Sequence, residues 1–190
     1  MCGRYEVSID SDELDRILQQ VNQNLSEPVK TGEIFPTNAA PVLIPQDGTL
    51  TPAAAKWGFP GFRGKGVIIN ARAETAEMKK TFRDSLMERR CLVPASGFYE
   101  WDRDKQKYLF KLRNSPVIYM AGLFQQLQNG RYFTILTTAA NASVAGIHDR
   151  MPLILPENQA KSWVLDLNEA MELLHREPPM LEKTPVNSAS

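Results

Sequence analysis

The sequence predicts a single α+β domain over residues 1–190, with a curled mixed or antiparallel, barrel-like β-sheet as its core and a few flanking helices. Many short apolar runs are separated by Gly, Pro, Asn and Asp, and only a few stretches carry helical spacing. The two kinds do not alternate in the regular βαβ order of a parallel sheet. With 190 residues, 43% apolar and 23% charged, the chain is long enough to bury a substantial core. No repeat, low-complexity segment or internal boundary divides it.

Cys2 to Val7 suits a short strand. Asp10 then reads as an N-cap with Glu13 as its capping-box partner, ahead of Leu14, Ile17, Leu18 and Val21 at helical spacing. Asn22 to Phe35 is polar and reads as loop. Val42 to Ile44 is a short buried strand, Gln46-Asp47-Gly48 a turn, and Ala53 to Trp57 a further strand. Gly61, Gly64 and Gly66 alternate with Arg63 and Lys65, which predicts a mobile basic loop. Val67 to Ile69 is a strand that delivers Asn70-Ala71-Arg72. Glu74 to Arg90 follows as a helix with Met78, Phe82, Leu86 and Met87 inward. Strands are expected at Cys91 to Pro94, Gly97 to Trp101, Tyr108 to Leu112, Val117 to Leu123 and Tyr132 to Thr137, with Asn129-Gly130 as a hairpin turn before the last. Ala139 to Ile147 is loop-like. Helices are expected near Pro156 to Leu165 and Leu167 to His175, and the tail after Pro178-Pro179 adds one edge strand.

No apolar run approaches the roughly 20 residues needed to cross a bilayer. Asp10, Asp12, Glu13 and Asp15 break any signal-peptide core, so a cytoplasmic, reducing location is expected. Cys2 and Cys91 are too few for a disulfide framework or a zinc site, so no metal and no cofactor is expected. A monomer that avoids membranes is expected. Net charge is zero, yet its distribution is uneven. Residues 56–113 carry 14 basic and 7 acidic side chains, a balance of +7, whereas residues 1–55 carry 3 and 8, a balance of −5. A basic block in a neutral protein suits a polyanion approached from one side. Taken singly, Lys79, Lys80, Arg89 and Arg90 suit a solvated helix face.

The chemistry concentrates at Met1-Cys2-Gly3-Arg4. Trimming of Met1 would leave Cys2 as a 1,2-aminothiol, which no internal cysteine offers. Its amine has a pKa of about 7.7–8.0 and its thiol about 8.5, so both are partly available as nucleophiles near neutral pH. An aldehyde meeting them forms a Schiff base through nitrogen and closes through sulfur to a thiazolidine. The plain alternative is a frayed terminus.

Asn70 follows an apolar strand, where its amide suits holding the terminal amine or an oxyanion; a simple turn at Asn70-Ala71 is the alternative. Glu100 lies between Tyr99 and Trp101, where desolvation would raise its pKa toward neutrality. Strand alternation puts Phe98, Glu100 and Asp102 on one face, and spacing alone slightly favours solvent for it. His148, beside Asp149 and Arg150, suits proton transfer, whereas His175 suits a charge partner at a helix C-terminus. Arg4, Arg72 and Arg150 each lie within two residues of one of these groups and suit bidentate phosphate binding. Trp57 is a candidate base-stacking platform, with core packing as its alternative.

Met1 to Tyr5, Trp57-Gly58, Asn70 to Thr75, Arg90 to Trp101, Ala121-Gly122-Leu123 and His148 to Pro152, in that order, resemble the SRAP family (SOS response-associated peptidase), also called abasic site processing proteins. The resemblance runs from residue 2 to about residue 186. It implies a protein that binds single-stranded DNA containing abasic sites and forms a thiazolidine crosslink with the ring-opened sugar. By the same resemblance, Cys2 is the nucleophile, Asn70 its positioning partner, Glu100 the acid/base and His148 the second proton-transfer group. Arg4, Arg72 and Arg150 would hold phosphates, with Trp57 packing on a base. A thiol autopeptidase that removes Met1 and a lyase activity are further implications. Class II glutamine amidotransferases also begin Met-Cys-Gly and are the rival reading, although they continue with aliphatic residues and lack the His148 to Pro152 run.

Overall fold

The computed structural model describes residues 2–23, 25–61 and 65–186. In chain order its elements are β1 (Tyr5–Val7), α1 (Asp12–Asn22), β2 (Gly32–Ile34), β3 (Ala39–Gln46), β4 (Thr49–Trp57), β5 (Phe59–Pro60), β6 (Val67–Ile68) and β7 (Asn70–Arg72). A 3-10 turn (Ala73–Thr75) and α2 (Lys80–Glu88) lead to β8 (Arg90–Ala95), β9 (Gly97–Trp101), β10 (Lys107–Lys111), β11 (Ile118–Leu127) and β12 (Gly130–Ala139). β13 (Arg150–Pro152), β14 (Ile154–Leu155), α3 (Glu157–Leu165), α4 (Leu167–Leu174) and β15 (Glu182–Val186) complete the chain.

The expected α+β domain is present, and its sheet does curl shut. Five strands run β12-β4-β3-β8-β11 and return to β12, closing a barrel in which only the β12–β4 pair is parallel. β7, β13 and β14 extend its rim. A second sheet, ordered β15-β10-β9-β1-β2, packs beside it, so the tail does supply an edge strand. Closure removes free strand edges and buries the apolar runs on both faces. β8 is buried at every position.

Two glycines in the family-like runs are explained by this packing. A Cβ on Gly97 would lie 2.5 Å from the Phe110 carbonyl oxygen on the neighbouring β10, and one on Gly122 would lie 2.9 Å from Cys91 Sγ. At both positions only hydrogen leaves room for the next strand.

Several expectations fail for local reasons. The α1 N-cap is Ser11, whose hydroxyl accepts from the Leu14 N–H; the Asp10 carboxylate instead accepts from the Ser8 hydroxyl. Residues 22–35 are not all loop, because β2 pairs with β1 across Tyr5↔Ile34. The hairpin turn sits one residue early, at Gln128-Asn129, with Gly130 already paired to Leu127. The long helix over 74–90 breaks into the 3-10 turn and α2, and Met78 is exposed rather than inward. Phe82 and Leu86 do face the core. Of the predicted basic loop, Arg63 and Gly64 lie outside the described residues. Among the described residues no helix is long and apolar enough to cross a membrane.

Arg90 is the largest departure from the solvated-face reading, since it is 5% exposed. Its guanidinium donates to Leu86 O (2.8 Å) and Met87 O (2.7 Å) at the end of α2, and to Trp163 O (2.6 Å) and Val164 O (3.1 Å) at the end of α3. One cation therefore satisfies orphan carbonyls of two helices and sits at both negative dipole ends. Arg90→Met is expected to lower unfolding free energy by about 3 kcal/mol, because it strands those carbonyls. Urea unfolding checks this: an unchanged midpoint would show that water satisfies them equally well.

Candidate functional site

The N-terminal segment is anchored, contrary to the frayed alternative. β1 is clamped between β2 and β9, with Tyr5↔Phe98 in register and the Tyr99 N–H donating to Arg4 O at 2.9 Å. Cys2 is fully buried, and its carbonyl accepts from the Asn70 side-chain amide at 2.9 Å. Asn70 in turn is fixed by β7, which pairs in parallel with β12 at Ile135. Two chain segments of different origin, residues 2–4 and 70–72, are thus joined by one side-chain bond.

Glu100 is 3% exposed, which overturns the solvent-facing reading. Gly97 to Glu100 are all buried, so β9 is covered on both faces, and Phe98 on the same strand stacks on its cross-strand partner Phe110 at 5.1 Å between ring centres. Burial raises the Glu100 pKa to about 7, and the charge of Asp149 pushes the same way. Burial also pushes the Cys2 thiol well up, with the Glu100 charge adding to it. That direction runs against the partial ionisation that its ordinary pKa suggests. Glu100 Oε1 and Asn70 Oδ1 are buried with no hydrogen-bond partner among the described residues.

Asn70 forms part of the wall of an open cleft of about 470 Å³, together with Arg72, Lys79, Thr81, His148 and Arg150. His148 and Asp149 also border a second cleft of about 550 Å³, against the turn at Asp102, Arg103 and Asp104. The two residues thus form the ridge between a basic and a more acidic cleft. The His148 Nδ1 accepts from the Arg150 N–H at 3.0 Å and lies 2.9 Å from Asp149 Oδ1.

The arginines divide. Arg72 is exposed on the cleft wall. Arg150 is largely covered, its guanidinium forked onto Glu74 at 2.6 and 2.9 Å. Arg4 lies on the second sheet, 3.6 Å above the Phe35 ring and 3.4 Å from Glu33, which also takes Lys107 at 2.8 Å. Trp57 is corrected outright as a stacking platform. It is fully buried, edge-on to Tyr5 and stacked on Phe133, with its indole N–H donating to Ile69 O at 3.0 Å. It is a core residue beneath the N-terminal segment, the alternative reading of that position.

Sequence reasoning missed Glu33, Phe35 and Glu74. The first two are hidden when residues 22–35 are read as loop; Glu74 stands in a family-like run with no role attached. Among the described residues no group of three or more His, Cys, Asp or Glu is placed to hold a metal ion.

The model of the SOS response associated peptidase (SRAP) family matches residues 1–189. The chain is 35% identical over 184 residues to abasic site processing protein YoqW of Bacillus subtilis (strain 168), covering 86% of this chain and 80% of that one. It is 29% identical over 176 residues to abasic site processing protein YedK of Escherichia coli (strain K12), covering 86% and 79%. A crystal structure of a protein from Bacteroides thetaiotaomicron superposes with a TM-score of 0.80 at 21% identity, covering 98% of this chain and 92% of that one.

Proposed function

The chain belongs to the SOS response associated peptidase (SRAP) family, and from that premise we propose that it captures abasic sites in single-stranded DNA as a covalent thiazolidine on Cys2. The relatives are named abasic site processing proteins, which supports DNA carrying that lesion as the partner. The observation that carries the reading is the hydrogen bond from Asn70, on the wall of a basic cleft, to the carbonyl of the buried Cys2.

The reaction begins with Cys2 as first residue, after removal of Met1. Its amine adds to the aldehyde carbon of the ring-opened sugar, and loss of one water gives a Schiff base. The amine acts first and the thiol second because the Schiff base is the electrophile on which the sulfur closes. The thiol then adds across the C=N bond, its sulfur to carbon and its proton to nitrogen, which closes the ring. Glu100, poised near neutrality, is suited to pass protons in both steps, with His148 as the second carrier. Arg72 and Lys79 offer the cations on the cleft wall that flanking phosphates require. Self-removal of Met1 by the thiol, and lyase chemistry through the Schiff base, are parts of the same proposal.

The test is incubation with an oligonucleotide carrying one abasic site, run on a denaturing gel after heating. A heat-stable shifted band with the abasic strand and none with the intact strand is expected. Ammonia release from glutamine in place of that band would support the amidotransferase reading. Asn70→Ala is expected to slow adduct formation by about 10- to 100-fold, because the Cys2 carbonyl loses its anchor and the amine its fixed position. A rate equal to that of the parent chain would remove Asn70 from the mechanism.

A further inference from the structure

Glu74 has no part in the chemistry above, although it stands in the Asn70 to Thr75 run. It lies in the 3-10 turn directly after β7, with its side chain 45% exposed. Both carboxylate oxygens accept from Arg150, Nη1 to Oε1 at 2.6 Å and Nη2 to Oε2 at 2.9 Å. Arg150 Nη2 donates as well to the Thr137 carbonyl at 2.7 Å. This two-point geometry is the strongest that a guanidinium and a carboxylate can adopt. It occupies the face of Arg150 that a phosphate would need.

The backbone of the same arginine reaches His148. The Arg150 N–H donates to His148 Nδ1 at 3.0 Å, while Asp149 Oδ1 lies 2.9 Å from that nitrogen. A neutral imidazole cannot serve both, because the N–H needs a lone pair and the carboxylate needs a proton. The Asp149 side chain is 87% exposed, so water competes for it. The Arg150 N–H, by contrast, is fixed at the start of β13, where Arg150 pairs with Ala139. The backbone donor wins, and in the uncharged form of the ring the proton then sits on Nε2.

We infer that Glu74 is a positioning residue for His148: its fork with Arg150 fixes the first residue of β13, whose N–H then holds the imidazole with Nδ1 as acceptor and Nε2 as donor. The effect on rate rests on the crosslinking role proposed for His148; the effect on the ring does not. Arg150 is accordingly a strut between the two site segments, and Arg72 with Lys79 remains for phosphate.

The experiment uses the full chain and Glu74→Gln, which keeps the size of the side chain and loses the charged fork. The chain has only two histidines, His148 and His175, so long-range 1H–15N spectra assign each ring directly. The parent is expected to show His148 as the Nε2–H tautomer and the variant a mixture of tautomers. An Nδ1–H tautomer in the parent, or an unchanged ring in the variant, would overturn the inference. With abasic oligonucleotide at saturation, the crosslinking rate of the variant is expected to fall about tenfold at an unchanged half-saturating concentration. A higher half-saturating concentration at full rate would overturn it too, by placing the pair in DNA capture. If the parent forms no adduct, the proposed function fails and the tautomer alone decides this inference. A variant without a folded spectrum would overturn it as well, by showing that the fork holds the fold rather than one ring.

Discussion

Cys2→Ala is expected to lose the heat-stable adduct by about 10³-fold or more while still binding the oligonucleotide. The expectation is sharper than simple inactivity, because alanine keeps one of the two nucleophiles. Prepared without Met1, which the missing thiol could not remove, the variant still has an α-amine on its first residue, and the Asn70 amide still has a backbone carbonyl there to hold. A Schiff base should therefore form and fall apart again, visible only when borohydride reduces it. The parent adduct should need no reductant, since sulfur has already closed the ring. Denaturing gels with and without borohydride separate the two cases. A Cys2→Ala adduct that survives heat unreduced would show that another nucleophile makes the stable bond. Because Cys2 is fully buried, the variant's unfolding midpoint should be measured beside it.

Glu100→Gln is expected to slow adduct formation by about 100-fold and to remove the inflection of the parent rate profile near pH 7. The same substitution should make the protein more stable at alkaline pH. Burial raises the folded-state pKa of Glu100 from 4.5 to about 7, so the folded chain holds a proton that the unfolded chain releases. The sign follows from linkage: the folded state is disfavoured progressively as pH rises from about 4.5 through 7, and the full penalty is present above 7. At about 1.4 kcal/mol per unit, the penalty is on the order of 3 kcal/mol. The variant's gain in thermal midpoint over the parent should thus be greatest near pH 8 and vanish near pH 4.5. Glutamine keeps the shape and cannot ionise, so packing is held nearly constant. A gain independent of pH would show that Glu100 is not held near neutrality, and an unchanged rate would take it out of the proton transfers.

The fold class was legible because short apolar runs with turn residues between them leave few arrangements other than a curled sheet. The barrel-like curl was legible with it, but the pair that closes the barrel was not, since the β12–β4 contact joins strands far apart in sequence. Local spacing found α1 but placed its cap on Asp10, because Ser11 and Asp10 are equally good cap residues and only the chain path decides between them. β2 stayed hidden because Gly32-Glu33-Ile34 has little strand character of its own and is ordered by β1. At the site, residue types predicted chemistry better than surroundings. The Cys2 carbonyl and Asn70 do meet, and Asn70 shares a cleft with His148, yet the burial of Glu100 depends on long-range packing around β9 that the spacing of its own strand does not reveal. Trp57 and Arg90 show the reverse error. A surface role suits each by residue type, and each is buried because its polar group is satisfied by backbone carbonyls: Ile69 for the indole, and the ends of α2 and α3 for the guanidinium.

The most direct measurement is the intact mass of the protein before and after mixing with abasic single-stranded DNA, without reductant. The unmixed chain should weigh as though it begins at Cys2, and the product should weigh as protein plus oligonucleotide minus one water. A chain that retains Met1, or a product whose mass lacks that single loss of water, would contradict ring closure on the Cys2 aminothiol.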